Sequence, residues 1–305
     1  MASKLAPDVS PDIAPSVAPS VAPNVAPSVA PNFTRMRTTA RTRRLPRSRS
    51  LQVVLQWASL AVCVLAWHWV TTHRVHLGIV NFENVPSPAQ TLDAAWALLQ
   101  SPKLAHHLAS SLQRVAWGYV IAAIIGVVCG VAIGRASWAR IALLPPLEVL
   151  RPIPAVAWIP LAILMFPSSE LSMIFITFTG ALFPILLGTI HGTESVDARL
   201  IASARSLGAG RWDVLREVVL PGAAPGIVTG LAIGMGTSWF CLVTAEMISG
   251  QFGIGYYTWE SYTVQRYPNI VVGMLIIGLL GMGSSVLIRF VGQRLTPWRT
   301  SAGGR

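Results

Sequence analysis

Six apolar runs, separated by polar segments, follow one another between residue 51 and residue 288. Five of them are uninterrupted and close to the roughly 20 residues that an α-helix needs to cross the hydrocarbon core of a membrane. The third run, after Arg140, contains several prolines. The pattern predicts an all-α polytopic membrane protein with about six transmembrane helices. The uninterrupted runs are Leu51–Val70, Trp117–Gly134, Leu171–Ile190, Gly226–Met247 and Ile270–Ile288.

The third run carries prolines at positions 145, 146, 152, 154 and 160. Proline lacks a backbone N–H and disrupts a helix interior, but membrane proteins tolerate such breaks where the irregular backbone lines a cavity. We therefore expect a broken third helix that contributes to a translocation path. Pro154 and Trp158 are its candidate lining residues.

The second run contains a GxxxG motif formed by Gly126 and Gly130. Two glycines at this spacing let another helix approach closely in lipid, so the motif predicts tight helix packing. Arg114 lies just before the run, and we expect its side chain to extend outward to the lipid headgroups.

Residues 1–33 repeat a tetrapeptide of the type Ala-Pro-Ser-Val, with a proline at every fourth position. This spacing excludes helix and predicts a disordered tail with polyproline II character. An arginine-rich segment then precedes Leu51–Val70. No small-x-small cleavage site follows that run, which ends in the interfacial residues Trp67-His68-Trp69, so it is interpreted as an uncleaved first helix.

These features divide the chain into four parts. Residues 1–50 are expected to form the proline-repeat and arginine-rich cytoplasmic tail, and residues 51–107 the first helix and an external segment with a short amphipathic helix. Residues 108–291 form the core transmembrane domain, and residues 292–305 form a cytoplasmic C-terminal tail.

The composition agrees with a membrane protein, because 53% of the residues are hydrophobic and only 11% are charged. The net charge of +11 does not indicate nucleic-acid binding, since the arginines flank apolar runs as membrane orientation requires. With both termini inside, the external segments contain only Arg74, Lys103 and Arg266 as Lys or Arg residues. The positive-inside rule therefore predicts a multi-pass protein of the inner (plasma) membrane with cytoplasmic termini.

A polar, arginine-bearing island, Glu194–Pro225, separates the fourth and fifth runs and is expected in the cytoplasm. It predicts a short helix near Asp197–Leu207, a Gly208 that takes a positive φ, and a second helix from about Arg211. The island is too short for an enzyme domain. It is interpreted as a compact element at the membrane surface that another protein binds.

Motifs for enzyme or metal chemistry do not occur in the sequence. Cys63, Cys129 and Cys241 lie inside apolar runs without CxxC spacing, and the histidines match no metal-ligand template. There is no HExxH motif and no GxxxxGK[ST] phosphate loop. We therefore expect a chain that is not an enzyme and binds neither a metal nor a nucleotide cofactor.

The island resembles the cytoplasmic loop of ABC importer permeases. Ala204, Gly208 and Leu220-Pro221 match the family's loop pattern, while Ala202-Ser203 stands where Glu-Ala is usual. Further motifs resemble the branch that imports nitrate, sulfonates, taurine and bicarbonate, and the likeness covers roughly residues 80–300. These motifs are Val85-Pro86-Ser87-Pro88, Ser111 to Gly118, Leu150 to Pro154, Trp158 to Leu161, Ala245-Glu246-Met247 and Gly253 to Tyr256.

The resemblance implies a type I importer fold and a set of partners. These are a second permease copy, a cytoplasmic ATPase dimer that carries ATP and Mg²⁺, and an external solute-binding protein. The loop 194–221 would couple the permease to the ATPase, and Arg205, Arg211 and Arg216 would be placed to form ion pairs there. The candidate coupling residues are Ala202, Ser203, Ala204, Arg205, Gly208, Ala209, Arg211, Leu215, Leu220 and Pro221.

The branch carries small anions, and a sulfonate or taurine-like solute is favoured over nitrate or bicarbonate. For the path, the fifth run offers Ser238, Trp239 and Thr244, which a helix could direct inward, and Glu246 near its outer end. Helix packing is the alternative role for the first three. A gate or dimer contact is the alternative for Glu246, because a carboxylate repels anions.

Two other classes of function are weighed against the importer. A channel or secondary transporter would need charges within the spans or inverted repeats, and Glu246 is the main such charge with no repeat evident between the halves. A membrane-embedded enzyme would need a catalytic constellation. Only the importer accounts for the cytoplasmic island.

Overall fold

The computed structural model describes residues 49–74, 78 and 82–297. Residues 1–48, which include the predicted proline-repeat tail, lie outside the described residues. So do residues 298–305, the end of the predicted C-terminal tail. Contacts divide the chain into a unit of residues 1–53 and a unit of residues 54–305, and the described helices belong to the second unit, apart from the beginning of the first helix.

The described residues form helices and no strand, which confirms the predicted all-α fold. Between the fourth and fifth numbered helices lies a 3₁₀ turn, Ala155–Trp158, and a π-helical turn, Val214–Val219, joins the eighth to the ninth. The α-helices are α1 (Arg49–Thr72), α2 (Pro88–Leu99), α3 (Pro102–Arg135), α4 (Ser137–Leu150), α5 (Ile159–Met165), α6 (Ser169–Glu194), α7 (Ala198–Ser206), α8 (Arg211–Asp213), α9 (Leu220–Ser249), α10 (Ile254–Thr263) and α11 (Tyr267–Leu295).

Five helices of the described part are long and apolar enough to cross a membrane, and there are six spans if the bent pair α4 and α5 counts as one. The pair bends by 84°. Pro145 and Pro146 remain inside α4, whereas the break falls at Arg151–Pro154, where Pro152 and Pro154 follow each other closely. A proline disfavours the helical conformation of the residue before it, so two prolines at alternate positions end the helix.

Helix α6 lies at the centre of the bundle and packs against α3 on one side and α9 on the other. The predicted GxxxG packing of α3 is confirmed, because a Cβ added to Gly130 would lie 2.6 Å from Thr189 Cβ of α6. The α6 and α9 backbones also touch: a Cβ at Gly188 would lie 2.6 Å from Gly230 Cα, and one at Gly226 would lie 2.6 Å from Gly192 Cα.

All five uninterrupted spans are longer than their apolar runs, and in α3 and α11 the extra residues cross a predicted domain boundary. Helix α3 begins at Pro102, fifteen residues before the run, because Ser101 caps its N-terminus and the polar residues of its first turns find buried partners. Helix α11 continues through Arg289 and Arg294 to Leu295. The boundaries proposed between residues 107 and 108 and between residues 291 and 292 therefore both fall inside helices.

Candidate functional site

The polar island folds as a short helix, a glycine turn and the start of a long helix. Asp197 caps α7, its Oδ1 accepting a hydrogen bond from the Arg199 N–H at 2.8 Å. Gly208 ends the helix with φ +87°, and the Ala209 N–H donates to the Ala204 carbonyl at 3.1 Å. A left-handed residue that closes a helix in this way is most often glycine, so the predicted helix and positive φ are both present.

A small apolar core holds this loop together. Ile201, Val214 and Val219 are buried in it, and the half-buried Ala204 and Ala209 pack against them. Because the two alanines sit where the chain reverses, larger side chains would push α7 away from the long helix. The loop is thus a packed body rather than an irregular connection.

The outer surface of the loop combines arginines with two large apolar side chains. Leu207 is 88% exposed and Trp212 is 70% exposed, on either side of Gly208. Arg205 and Arg211 are exposed nearby, and neither forms an ion pair with a described residue. Exposed apolar residues ringed by charge are typical of surfaces that contact another protein or a membrane. Ala202, Ser203 and Leu220 are also exposed.

The loop continues into α9 without a break, so that Arg211–Ser249 forms one helical stretch of 39 residues. In the π-helical turn the Leu220 N–H donates to the Leu215 carbonyl, five residues back. The wider turn precedes Pro221 and Pro225, which have no N–H to donate. Leu220-Pro221 therefore lies within this helix and does not end a separate loop.

At the opposite end of α9, beside α10, three charged residues form a cluster. The guanidinium of Arg114 is paired with Glu170 and donates to Glu246 Oε1 at 2.8 Å, while its Nε donates to Glu170 Oε2 at 2.7 Å. Arg114 is only 2% exposed and Glu246 only 1%. The expectation that Arg114 extends to the headgroups is wrong, because its buried charge is compensated by the buried Glu246 and by Glu170, whose side chain is exposed.

The cluster also holds the N-terminus of α10. Glu246 Oε2 accepts the Gly255 N–H at 2.9 Å, Ser111 Oγ accepts the Ile254 N–H at 3.0 Å, and His107 Nδ1 accepts the Gly253 N–H at 3.1 Å. Ser111 in turn donates to Glu246 Oε1 at 2.8 Å. The otherwise unpaired donors at the start of α10 are thus satisfied by side chains of α3 and α9.

The family described as "binding-protein-dependent transport system inner membrane component" matches residues 122–301. That match includes the C-terminal part of α3, the exposed loop and both carboxylates of the cluster. The chain belongs to this family.

Relatives of the permease have names that describe transport or import permeases. It is 33% identical to the taurine transport system permease protein TauC of Escherichia coli over 82% of this chain and 91% of the relative. It is 31% identical to the nitrate import permease protein NrtB of Synechocystis over 81% of this chain and 91% of the relative. It is also 31% identical to the putative aliphatic sulfonates transport permease protein SsuC of Bacillus subtilis, over 75% of this chain and 83% of the relative. The permease is thus a multi-pass inner-membrane protein of the ABC importer family.

Most of the predicted path residues of the permease lie inside the single chain. Ser238 is buried and donates to the Met235 carbonyl, and Trp239 is buried with its Nε1 donating to Ser284 Oγ at 2.9 Å. Half-buried Thr244 donates to the Phe240 carbonyl at 2.9 Å, half-buried Trp158 packs on the main apolar core, and Pro154 is exposed. Their role in a path stays a prediction.

Sequence reasoning missed the charge cluster and the two exposed apolar residues of the loop. Only the α3 part of the cluster left a signal in the sequence, since Arg114 follows Ser111 by three residues and both lie on one face of a helix. The signal for the loop surface was an unexplained Leu207 and Trp212 on either side of a predicted turn.

Proposed function

We propose that this permease is the transmembrane subunit of an ATP-driven importer for a small anion. A second copy of the chain completes the translocation path, an external binding protein delivers the solute, and a separate ATPase dimer drives transport through the loop 194–221. The observation that carries the proposal is the packed loop, which presents exposed apolar residues and is continuous with a helix that crosses the bundle.

The loop is suited to transmit force. Leu207 and Trp212 supply apolar side chains for a cleft on the ATPase, and the surrounding arginines can pair with acidic groups at its rim. The helix Arg211–Ser249 is about 58 Å long at 1.5 Å per residue, so a push on the loop moves the far end of the helix with it. Rigid-body rocking of two permease copies then gives alternating access.

ATP and its Mg²⁺ belong to the partner in this proposal. The permease sequence contains no GxxxxGK[ST] phosphate loop, so it has no group of that kind to cradle a triphosphate. Its relatives are transport subunits by name. The chain itself is therefore a non-enzymatic subunit, and hydrolysis takes place on the ATPase.

The distribution of charge supports a cytoplasmic loop. Arginines concentrate at the end of the bundle that carries the loop, whereas the α10 end contains few basic residues. The positive-inside rule then puts the loop and both termini in the cytoplasm and leaves α2 and α10 to face the binding protein.

For the solute we favour an organosulfonate such as taurine, and nitrate or bicarbonate is the alternative within the same architecture. The names of the relatives include taurine, aliphatic sulfonates and nitrate. Uptake of labelled taurine and nitrate by cells that express the complete transporter separates these solutes. Competition by bicarbonate tests the third.

The buried charges of Arg114 and Glu246 are the observation that would favour the alternative of a secondary transporter. Ionisable groups within membrane spans often form ion or proton pathways. In this cluster, however, each buried side-chain nitrogen and oxygen of the described residues has a hydrogen-bond partner. A fully paired cluster that also caps α10 favours a structural role. The importer function explains the exposed loop at one end of α9 and is compatible with the paired charge cluster at the other.

Co-purification with the ATPase subunit tests the proposal. Gly208 and Gly250 form a matched pair, because both have positive φ, at +87° and +67°, and a Cβ at either would meet no atom within 4 Å. Valine at either position strains the backbone. Gly208→Val should abolish uptake and ATPase binding while the permease still inserts, and Gly250→Val should retain the ATPase. Failure of the unmodified permease to bind the ATPase in membranes would refute the proposal.

A further inference from the structure

A groove of about 770 Å³ runs between α6 and α9 on the side of the bundle that carries the loop. Its walls are mostly apolar and include the glycines at which the two helices touch. Two nitrogenous side chains also line it: Arg151, from the break between α4 and α5, and His191, from the last turn of α6. We call this the basic groove.

The basic groove extends well into the span. Phe183 and Pro184, which line it with Arg151, lie about 21 Å along α6 from its first residue, near the middle of a 26-residue helix. His191 lies closer to the loop. The groove therefore connects the middle of the transmembrane region with the end that carries the loop.

Arg151 does not suit a surface that faces lipid tails. Within the described residues it forms no ion pair, in contrast to Arg114 and Arg140, and it is exposed in the single chain. A guanidinium at a helix centre raises the free energy of insertion by about 2.5–3.5 kcal/mol or more. A groove that contains it is stable when water, an anion or a second copy fills the space.

The basic groove contains no carboxylate to neutralise Arg151. A second cavity, of about 490 Å³ beside α10, differs in this respect, because Glu260 lines it together with Lys103 and Arg266. Of these two cavities, only the one between α6 and α9 combines a position inside the span with uncompensated positive charge. That combination attracts an anion and repels a cation.

The volume of the groove indicates how an anion would be held. A water molecule occupies about 30 Å³ in the liquid, so 770 Å³ has room for a small oxyanion with many waters around it. Such an ion is attracted by charge without being stripped of its hydration. Weak binding of this kind lets an ion enter and also leave, as transport requires.

We propose that Arg151 and His191 form a weak, hydrated binding site for a small oxyanion, of the sulfonate or nitrate class, on the inner half of the translocation path. The inference rests on the importer function proposed above. In this proposal Arg151, at the break in the third span, supplies a charge that attracts the solute. It adds to the predicted lining residues Pro154 and Trp158.

A thiol reporter inside the groove measures this charge directly. Leu187 lines the groove and is half-buried, so Leu187→Cys places a thiol there; the exposed Cys63 is replaced by serine to lower the background. The full permease with its ATPase, in permeabilised membranes, is treated with methanethiosulfonates that carry either an ethylsulfonate or an ethyltrimethylammonium group. The same protein without the Leu187 change gives the background rate.

The anionic reagent should modify the introduced thiol faster than the cationic one. Arg151→Gln should lower the ratio of the two rates by about five- to tenfold, and His191→Gln should lower it less. The matched control is Arg266→Gln, which removes an exposed arginine from the cavity of about 490 Å³ beside α10, and that cavity shares no lining residue with the basic groove. That control should change the ratio by less than about twofold. Taurine or nitrate should slow the reaction in the permease and not in Arg151→Gln.

Two results would overturn the proposal. One is that neither reagent modifies the groove thiol while a thiol introduced at exposed Ser203 reacts readily, which would mean that the groove faces lipid. The other is a rate ratio that does not respond to Arg151→Gln. Failure of the importer function is a separate outcome, because it would appear as loss of ATPase co-purification and leave the charge preference of the groove thiol unchanged.

Discussion

The two ends of α9 hold charge in opposite ways. At the α10 end, Arg114 is buried between two carboxylates, and the hydrogen-bonding groups around it are paired. At the loop end, Arg205 and Arg211 are exposed and make no ion pair within the described chain. Buried charges fix one geometry because a partner's removal is costly, whereas exposed charges contribute little until another molecule covers them.

The contrast between the two ends shows which of them is complete within one chain. The α10 end is finished inside one chain, because side chains of α3 and α9 satisfy the donors at the start of α10. The loop end has a packed apolar core around Ile201, but the large apolar side chains of Leu207 and Trp212 are exposed on its surface. Substitutions at the two ends should therefore fail in different assays.

The largest effect is expected for Arg114→Met, which leaves Glu246 buried without its counter-charge. Breaking a buried ion pair from one side typically destabilises a protein by about 3–5 kcal/mol. Yield of folded permease and its melting temperature in detergent should both fall sharply. The double variant Arg114→Met with Glu246→Gln should recover part of the loss, and equal stability of the single variant and the parent would contradict the role of the cluster.

Gly253→Ala should have the next largest effect. Gly253 has φ +140°, and a Cβ there would collide with the carboxylate of Glu246. We expect a loss of about 1–3 kcal/mol from backbone strain, with further loss from displacement of the carboxylate. Gly250→Ala is the control, because it also has positive φ but open space around it. Similar melting temperatures for the two variants would show that the contact with Glu246 is unimportant.

At the loop end, Leu207→Ser with Trp212→Ser should leave the melting temperature of the isolated permease nearly unchanged, since both side chains are exposed. Binding to the ATPase should weaken by about tenfold or more, because tryptophan is among the residue types that contribute most to binding at protein interfaces. Titration of the ATPase against permease in nanodiscs measures this. Equal affinity for the variant and the parent would exclude these residues from the interface.

The smallest effects are expected for Arg205→Gln and Arg211→Gln. An exposed arginine contributes at most about 1 kcal/mol through a surface ion pair, and the contribution falls with salt. Each variant should bind the ATPase a few times more weakly at low salt and equally well at high salt. A salt-independent loss would indicate that the side chain packs in the interface instead of pairing with a charge.

The sequence predicted the features that depend on neighbouring residues. The apolar runs, the break among the prolines and the helix before Gly208 all follow from spacing and backbone chemistry, and they are present in the structure. The α6 and α9 contact was also predictable in principle, because Gly188 with Gly192 and Gly226 with Gly230 have the same spacing as the motif recognised in α3.

The features that depend on distant residues were not predicted. Arg114 meets Glu170 and Glu246, which lie 56 and 132 residues further along the chain. Nothing in the local sequence says that these carboxylates are near, so a position at the end of an apolar run suggested the headgroups. The continuity of the loop with α9 was missed for a local reason, because Pro221 and Pro225 suggest an interruption where the helix continues.

The glycine contact between α6 and α9 determines where the permease can bend. Where the α6 and α9 backbones touch, no side chains lie between them that could change rotamer. The two helices are therefore expected to move together as one rigid unit. Movement has to be taken up at its margins. Ala136, the single residue between α3 and α4, and the 84° corner between α4 and α5 are the flexure points available there.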